Sequence, residues 1–103
     1  MQSSDFLKSL LADRPVLLDG AWGTEFQKRG LEPGMYPDIW NLERPDDVFA
    51  VARSYVDAGS RVILTNTFGA NRIVLRQQGL DDRVEAINRA GVELSRRAAG
   101  KQA

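Results

Sequence analysis

Polar side chains that could bind a small charged ligand follow two short apolar runs in this sequence. The first run, residues 16–18, is followed by Asp19-Gly20-Ala21, and the second, residues 62–64, is followed by Thr65-Asn66-Thr67-Phe68. An apolar run with a polar end is typical of a buried parallel strand whose carboxyl end opens into a ligand crevice. We therefore predict a binding site where the ends of two such strands meet.

The residue types that are missing limit the chemistry of this site. The chain contains no cysteine and no histidine, which removes disulfides, thiolate nucleophiles, imidazole bases and the usual zinc ligands together. A metal site confined to this chain would need carboxylates. We therefore predict a site that binds a ligand, and we assign no catalytic residue and no metal ligand within the chain.

Composition narrows the class of protein and of partner. A chain of 103 residues with 43% hydrophobic and 27% charged residues is expected to form one globular domain. The formal net charge is zero, with acidic and basic residues interspersed, so we expect neither nucleic acid nor a membrane as partner. The N-terminal residues lack the plan of a signal peptide, which predicts a cytoplasmic protein.

Helical periodicity and capping residues place the other elements. They predict helices over residues 4–11, 24–30, 45–59, 71–77 and 81–100. Residues 31–44 contain Pro33, Gly34 and Pro37 and are expected to be irregular, although their apolar side chains should pack on the core. With strands ending at Asp19 and Thr65, the predicted fold class is α/β.

Two parallel strands form only part of a sheet, because each leaves an edge of unpaired backbone groups. Self-association, a partner chain, or membership of a larger α/β domain would each cover these edges. The last of these is the interpretation that we favour.

Three motifs together resemble one protein family. They are residues 17–25 (LLDGAWGTE), residues 40–42 (WNL) before Pro45, and residues 58–71, which include TNTFGAN. In order and spacing they are similar to the N-terminal part of the homocysteine S-methyltransferase domain, and the resemblance covers about residues 14–99. It implies a (β/α)8 TIM barrel of which residues 1–103 supply the N-terminal part: a first helix and the first two βα units.

The resemblance also implies a reaction and a cofactor. Family members transfer a methyl group to the sulfur of homocysteine, which is activated as a thiolate on zinc. The zinc ligands of the family are cysteines of a later Gly-Gly-Cys-Cys segment and of another late strand, and this sequence contains neither. Zinc is therefore expected in the complete domain, and the isolated chain is expected to be inactive. The methyl donor stays open.

What remains resembles the part that holds the amino-acid end of homocysteine or of a similar thiol. Asp19 would meet the ammonium, and backbone amides together with hydroxyl and amide side chains would meet the carboxylate. The predicted substrate-binding residues are Asp19, Gly20, Ala21, Thr65, Asn66, Thr67 and Phe68. The same residues could instead form a turn and satisfy the backbone at the strand ends.

Two other functions are compatible with the residues. The chain could be a non-catalytic α/β interaction module that pairs its open sheet edge with itself or with a partner chain. It could also be a small protein that binds an anion on the amides of residues 20–23. The second alternative is the weaker one, because the Asp19 carboxylate would repel an anion at that place.

Overall fold

Helices account for all the regular structure in the computed structural model, which describes residues 3–12 and 15–103. The described α-helices are α1 (Ser3–Leu11), α2 (Trp22–Lys28), α3 (Trp40–Glu43), α4 (Pro45–Asp57), α5 (Arg72–Arg76) and α6 (Val84–Ala99). Two 3₁₀ turns, Pro37–Ile39 and Asp81–Arg83, precede α3 and α6.

The predicted α/β class, with two βα units of a TIM barrel, is wrong for this structure. Within residues 3–12 and 15–103 no β-strand forms, and the two apolar runs meet only at an isolated parallel bridge between Leu18 and Val62. Two backbone hydrogen bonds support it: Arg61 N donates to Leu17 O at 2.9 Å, and Asp19 N donates to Val62 O at 3.1 Å. The interaction module with an open sheet edge loses its structural basis by the same finding.

The bridge stays isolated because none of the described residues extends it into a sheet or covers it. A lone pair of strands is marginal, and parallel strands are found where both faces of the sheet are buried. Here Leu17, Leu18 and Leu64 are 59%, 64% and 64% exposed. These residues have the apolar pattern of a buried strand, but the described chain provides no layer that buries them.

The prediction for the central helix is confirmed. Pro45 begins α4, and Gly59, two residues after its end, has a φ of +109°, a backbone conformation that glycine adopts more readily than other residues. The buried residues of α4 recur at helical spacing and face α6 and α2. Its core cluster contains Phe26, Leu31, Trp40, Val48, Val51 and Leu94.

The helices near the C-terminus are confirmed as well. The Asn71 side chain caps α5 by accepting a hydrogen bond from Val74 N at 3.0 Å. The long helix α6 ends at Ala99, before Gly100. A second core cluster, formed by Ala70, Leu75 and Ile87, joins these two helices.

Two local predictions need correction. The helix predicted over residues 24–30 begins earlier, at Trp22, so Thr24 lies inside α2 and does not cap it. Residues 31–44 are not irregular throughout, because they contain a 3₁₀ turn and α3. The expectation that this segment packs is confirmed, since Asp38, Trp40 and Asn41 are buried.

The first helix lies largely in solvent. In α1 the side chains of Phe6, Leu7 and Leu11 are all more than half exposed.

None of the helices in residues 3–12 and 15–103 combines the length and the apolar character needed to cross a bilayer.

Candidate ligand-binding site

A cleft of about 270 Å³ lies beside the bridge, between the start of α2, the 3₁₀ turn at Pro37–Ile39 and residues 64–69. Its wall is mainly apolar and aromatic, with a few polar groups, as is usual for small-molecule sites. It is lined by Gly20, Trp22, Tyr36, Pro37, Asp38, Leu64, Thr65, Asn66, Thr67, Phe68 and Gly69. Five of the seven residues named from the sequence are among them, while Asp19 and Ala21 are not.

Asp19 connects two parts of the wall. Its Oδ2 atom accepts a hydrogen bond from Trp22 Nε1 at 2.6 Å and another from the backbone amide of Leu64 at 2.7 Å. The Asp19 side chain therefore joins the two apolar runs, residues 16–18 and 62–64, in addition to the Leu18–Val62 bridge. Both bonds end on the same carboxylate oxygen, and Trp22 and Leu64 both line the cleft.

Gly20 and Ala21 meet the side chain of Tyr55 from α4. A Cβ atom on Gly20 would lie 3.0 Å from Tyr55 Cε1, so a larger residue would press against the ring. Tyr55 Oη donates to the Ala21 carbonyl oxygen at 2.9 Å. Burial, followed by the negative charges of Glu25 and Asp19, raises the pKa of Tyr55 above 10.0, while Lys28 opposes the shift. The phenol is therefore a neutral hydrogen-bond donor at neutral pH.

The hydroxyls of Thr65 and Thr67 form a pair in the wall. Their Oγ1 atoms are 2.6 Å apart, and Thr67 N donates to Thr65 O at 2.9 Å, which folds the segment into a tight turn. One hydroxyl donates to the other, so the accepting hydroxyl keeps its own proton for an outside acceptor. The pair can therefore donate one hydrogen bond to a ligand oxygen.

Asn66 is engaged with the protein itself. Its Nδ2 atom donates to Pro37 O at 3.0 Å and to Asn41 Oδ1 at 2.9 Å, and the residue is only 6% exposed. Asn41 Nδ2 in turn donates to Asn66 O at 2.8 Å and to Ile87 O at 3.0 Å. Asn66 lines the cleft, but its side-chain donors are already used to hold the turn.

Phe68 is fully exposed at the rim of the cleft. An aromatic ring in water is free to close over an apolar part of a ligand, and it loses solvent-exposed area when it does so. Leu64, Tyr36 and Met35 are also exposed apolar residues in this part of the chain.

Asp38 is the functional candidate that sequence reasoning missed. It lies in the 3₁₀ turn, it is 2% exposed, and it lines the cleft. Its Oδ2 atom accepts from Gly69 N at 3.1 Å. Burial raises the pKa of Asp38 above 3.8, although hydrogen bonds from the amides of Gly69 and of Asp38 itself oppose the shift. The signal in the sequence was an acidic residue between Tyr36 and Trp40, in a segment expected to pack.

The residues of the cleft can bind a ligand but do not form a zinc site. The chain has no cysteine or histidine, and the described residues contain no group of three or more carboxylates placed to hold a metal ion. The lining supplies hydroxyl donors, the Asp38 carboxylate and aromatic surface. This arrangement suits a small ligand that has an apolar middle and polar ends.

Comparison with known proteins gives consistent matches. A sequence model of the family described as homocysteine S-methyltransferase matches residues 16–103. The methionine synthase of Mycobacterium tuberculosis (strain ATCC 25618 / H37Rv) is 35% identical over 101 residues, which are 90% of this chain and 8% of that protein. The methionine synthase of Mycobacterium leprae (strain TN) is 35% identical over 104 residues, with 93% and 8% covered.

A solved structure agrees with these matches. The crystal structure of the homocysteine methyltransferase MmuM from Escherichia coli, in its oxidized form, superposes with a TM-score of 0.72 at 30% sequence identity. The match covers 88% of this chain and 33% of the other. The chain thus spans about a third of that protein and less than a tenth of the two methionine synthases.

Proposed function

Because the chain belongs to the homocysteine S-methyltransferase family, we propose that it forms the substrate-binding part of an enzyme that transfers a methyl group to the sulfur of homocysteine. The observation that carries this proposal is the cleft, where Gly20 and residues 65–68 come together from two distant parts of the chain. Its size and mixed lining suit a small amino acid.

The ligand contacts that we propose follow from the free hydrogen-bonding groups of the cleft lining and of Asp19, which is bonded to the lining residues Trp22 and Leu64. The Thr65–Thr67 hydroxyl pair would donate to the carboxylate of homocysteine. Asp19 Oδ1, the oxygen that takes no part in the bonds to Trp22 and Leu64, would accept from the ammonium. The ring of Phe68 would cover the methylene groups.

Activation of the substrate thiol is outside the capacity of these residues. A thiol with a pKa of about 8.5 is mostly protonated at neutral pH and needs a metal or a strong base to become a thiolate. We propose that zinc supplies this activation in the complete domain through ligands that this chain does not contain. The chain alone is expected to bind homocysteine without transferring a methyl group.

Titration calorimetry with two truncated ligands tests the proposal. The chain should bind L-homocysteine more tightly than 4-mercaptobutyrate, which lacks the ammonium, and more tightly than 3-aminopropanethiol, which lacks the carboxylate. No heat of binding with L-homocysteine at millimolar concentration would contradict the proposed function.

The variant Asp19→Asn tests the role of Asp19 in the same experiment. Affinity for L-homocysteine should fall by about tenfold, the effect of one lost charge-assisted contact, while affinity for 4-mercaptobutyrate stays unchanged. Asp46→Asn, at an exposed acidic residue in the first turn of α4, is the matched control. Equal losses for both ligands would mean that Asp19 only anchors Trp22 and Leu64.

A second candidate function, self-association, is favoured by the exposed leucines at positions 17, 18 and 64. Exposed apolar surface of this kind marks interaction sites. Sedimentation velocity over a concentration series separates the two functions: a monomer at all concentrations would contradict self-association and leave ligand binding as the function to test.

A further inference from the structure

Polar bonds hold residues 64–69, the segment that forms one wall of the cleft, at its start, middle and end. Asp19 and Ser95 bind the amide and the carbonyl of Leu64, and the Asn41 side chain binds Asn66 in the middle. At the end of the segment, Asp38 Oδ2 accepts from the Gly69 amide at 3.1 Å. Asp38 thus holds the last residue of the wall.

The contact between Asp38 and Gly69 is close. A Cβ atom on Gly69 would lie 2.7 Å from Asp38 Oδ1, 3.3 Å from Tyr36 Cδ1 and 3.4 Å from Val74 Cγ1. Glycine is therefore required for the carboxylate to lie against the backbone here. Since Gly69 is buried and Phe68 before it is fully exposed, the position of this amide determines where the exposed ring stands.

The surroundings of the Asp38 carboxyl disfavour its charged form. It forms no ion pair with the described residues, and burial raises its pKa. Tyr36 is the titratable neighbour on its own loop, and Asp19 is hydrogen-bonded to Trp22 and Leu64. The charged side chains that α5 and α6 contribute are exposed: Arg72, Arg76, Glu85, Arg89, Glu93, Arg96 and Arg97.

We propose that Asp38 is a positioning residue of the ligand site: by holding the Gly69 amide, it fixes the turn that presents the Thr65–Thr67 hydroxyl pair and Phe68 to the ligand. It acts through the turn, because its Oδ2 atom is bonded to the Gly69 amide. The proposal rests on the proposed function, because it takes homocysteine as the ligand. The geometry of the turn, however, can be measured without any ligand.

The first experiment is an NMR titration of the full 15N-labelled chain without ligand. The amide proton shift of Gly69 should follow the titration of Asp38, because the hydrogen bond changes from a charged to a neutral acceptor. In Asp38→Asn this response should disappear, while the Gly69 amide stays protected from exchange because the asparagine oxygen still accepts. A Gly69 shift that follows pH equally in both proteins would overturn the proposal.

The second experiment measures the affinity for L-homocysteine. Asp38→Leu leaves the buried Gly69 amide without an acceptor and should weaken binding by about tenfold, and Asp38→Asn should restore binding to within about threefold of the wild type. Asp46→Asn is again the control. Wild-type affinity in a folded Asp38→Leu would overturn the proposal, and if that variant does not fold, the Asp38→Asn titration decides. Failure of the wild type to bind contradicts the proposed function instead.

Discussion

Asn41 and Asn66 hold each other by two hydrogen bonds that run in opposite directions. Asn41 Nδ2 donates to the Asn66 carbonyl oxygen at 2.8 Å, and Asn66 Nδ2 donates to Asn41 Oδ1 at 2.9 Å. Both residues are buried, at 3% and 6% exposure. The pair therefore fixes α3 to the wall of the cleft, and each side chain satisfies polar groups that would otherwise be buried without a partner.

Removing one member of this pair should lower stability strongly. Asn66→Ala deletes the donor to Asn41 Oδ1 and to Pro37 O, and we expect the free energy of unfolding to fall by about 1–3 kcal/mol. Urea denaturation followed by circular dichroism measures it. Gln27→Ala, at an exposed position on α2, should change stability by less than about 0.5 kcal/mol. Equal effects of the two changes would show that the pair is not required for stability.

Two glycines in helices should respond in opposite directions to alanine. A Cβ atom on Gly91 in α6 would lie 2.7 Å from Asn41 Nδ2 and 2.8 Å from Thr67 Cγ2, whereas at Gly23 in α2 nothing lies within 4 Å. Gly91→Ala should therefore destabilise the fold by about 1–3 kcal/mol. Gly23→Ala should stabilise it by about 0.5–1 kcal/mol, the usual helix preference for alanine. Thermal unfolding of both variants measures these two changes in stability. If Gly91→Ala were stabilising, the close packing of α6 on residues 64–69 would be contradicted.

Asp38 should make stability depend on pH. Because burial raises its pKa above 3.8 in the folded chain, the folded state holds the proton to a higher pH than the unfolded state does. The stability that Asp38 contributes is fully present below the unfolded pKa and is lost as pH rises through the folded pKa.

Asp38→Asn lacks this dependence, so its stability relative to the wild type should increase as pH rises above 3.8. Urea midpoints of both proteins, compared over a pH series to neutrality, measure the difference, and the other carboxyl groups cancel in the comparison. A difference that does not change with pH would contradict the raised pKa.

Phe68 should matter for binding and not for folding. The ring is fully exposed, so Phe68→Ala should change the free energy of unfolding by less than about 0.5 kcal/mol. Affinity for L-homocysteine should fall by about fivefold to tenfold, because the ring no longer covers the ligand. Ile73→Ala, 76% exposed and outside the cleft lining, is the matched control and should leave affinity unchanged. Equal affinity in both variants would remove Phe68 from the site.

Five of the seven residues that the sequence predicts to bind substrate line the cleft, but how each one is used there depends on its partners in the fold. Thr65, Thr67 and Phe68 line the cleft, and their role in binding substrate stays a prediction. Asn66 also lines it, yet its amide protons go to Pro37 and Asn41, which are 29 and 25 residues away in the chain. Such partners cannot be read from local spacing. Asp38 was missed for the same reason, because its burial depends on Gly69 and on the packing of the preceding loop.

The helices were predictable because their causes are local. The apolar spacing of α4, the proline at its start and the glycine after its end all lie within 15 residues, Pro45 to Gly59. The resemblance to the family likewise needed only the order of short motifs.

Strand formation, by contrast, depends on neighbours that a linear pattern does not contain. Residues 16–18 and 62–64 carry the apolar pattern of buried strands, yet Leu18 and Val62 form a single bridge because no further segment of the described chain pairs with them. Burial of Asp38 and the reciprocal pairing of Asn41 with Asn66 have the same origin. These are contacts between distant segments, whose energy exists only when the packed chain brings them together.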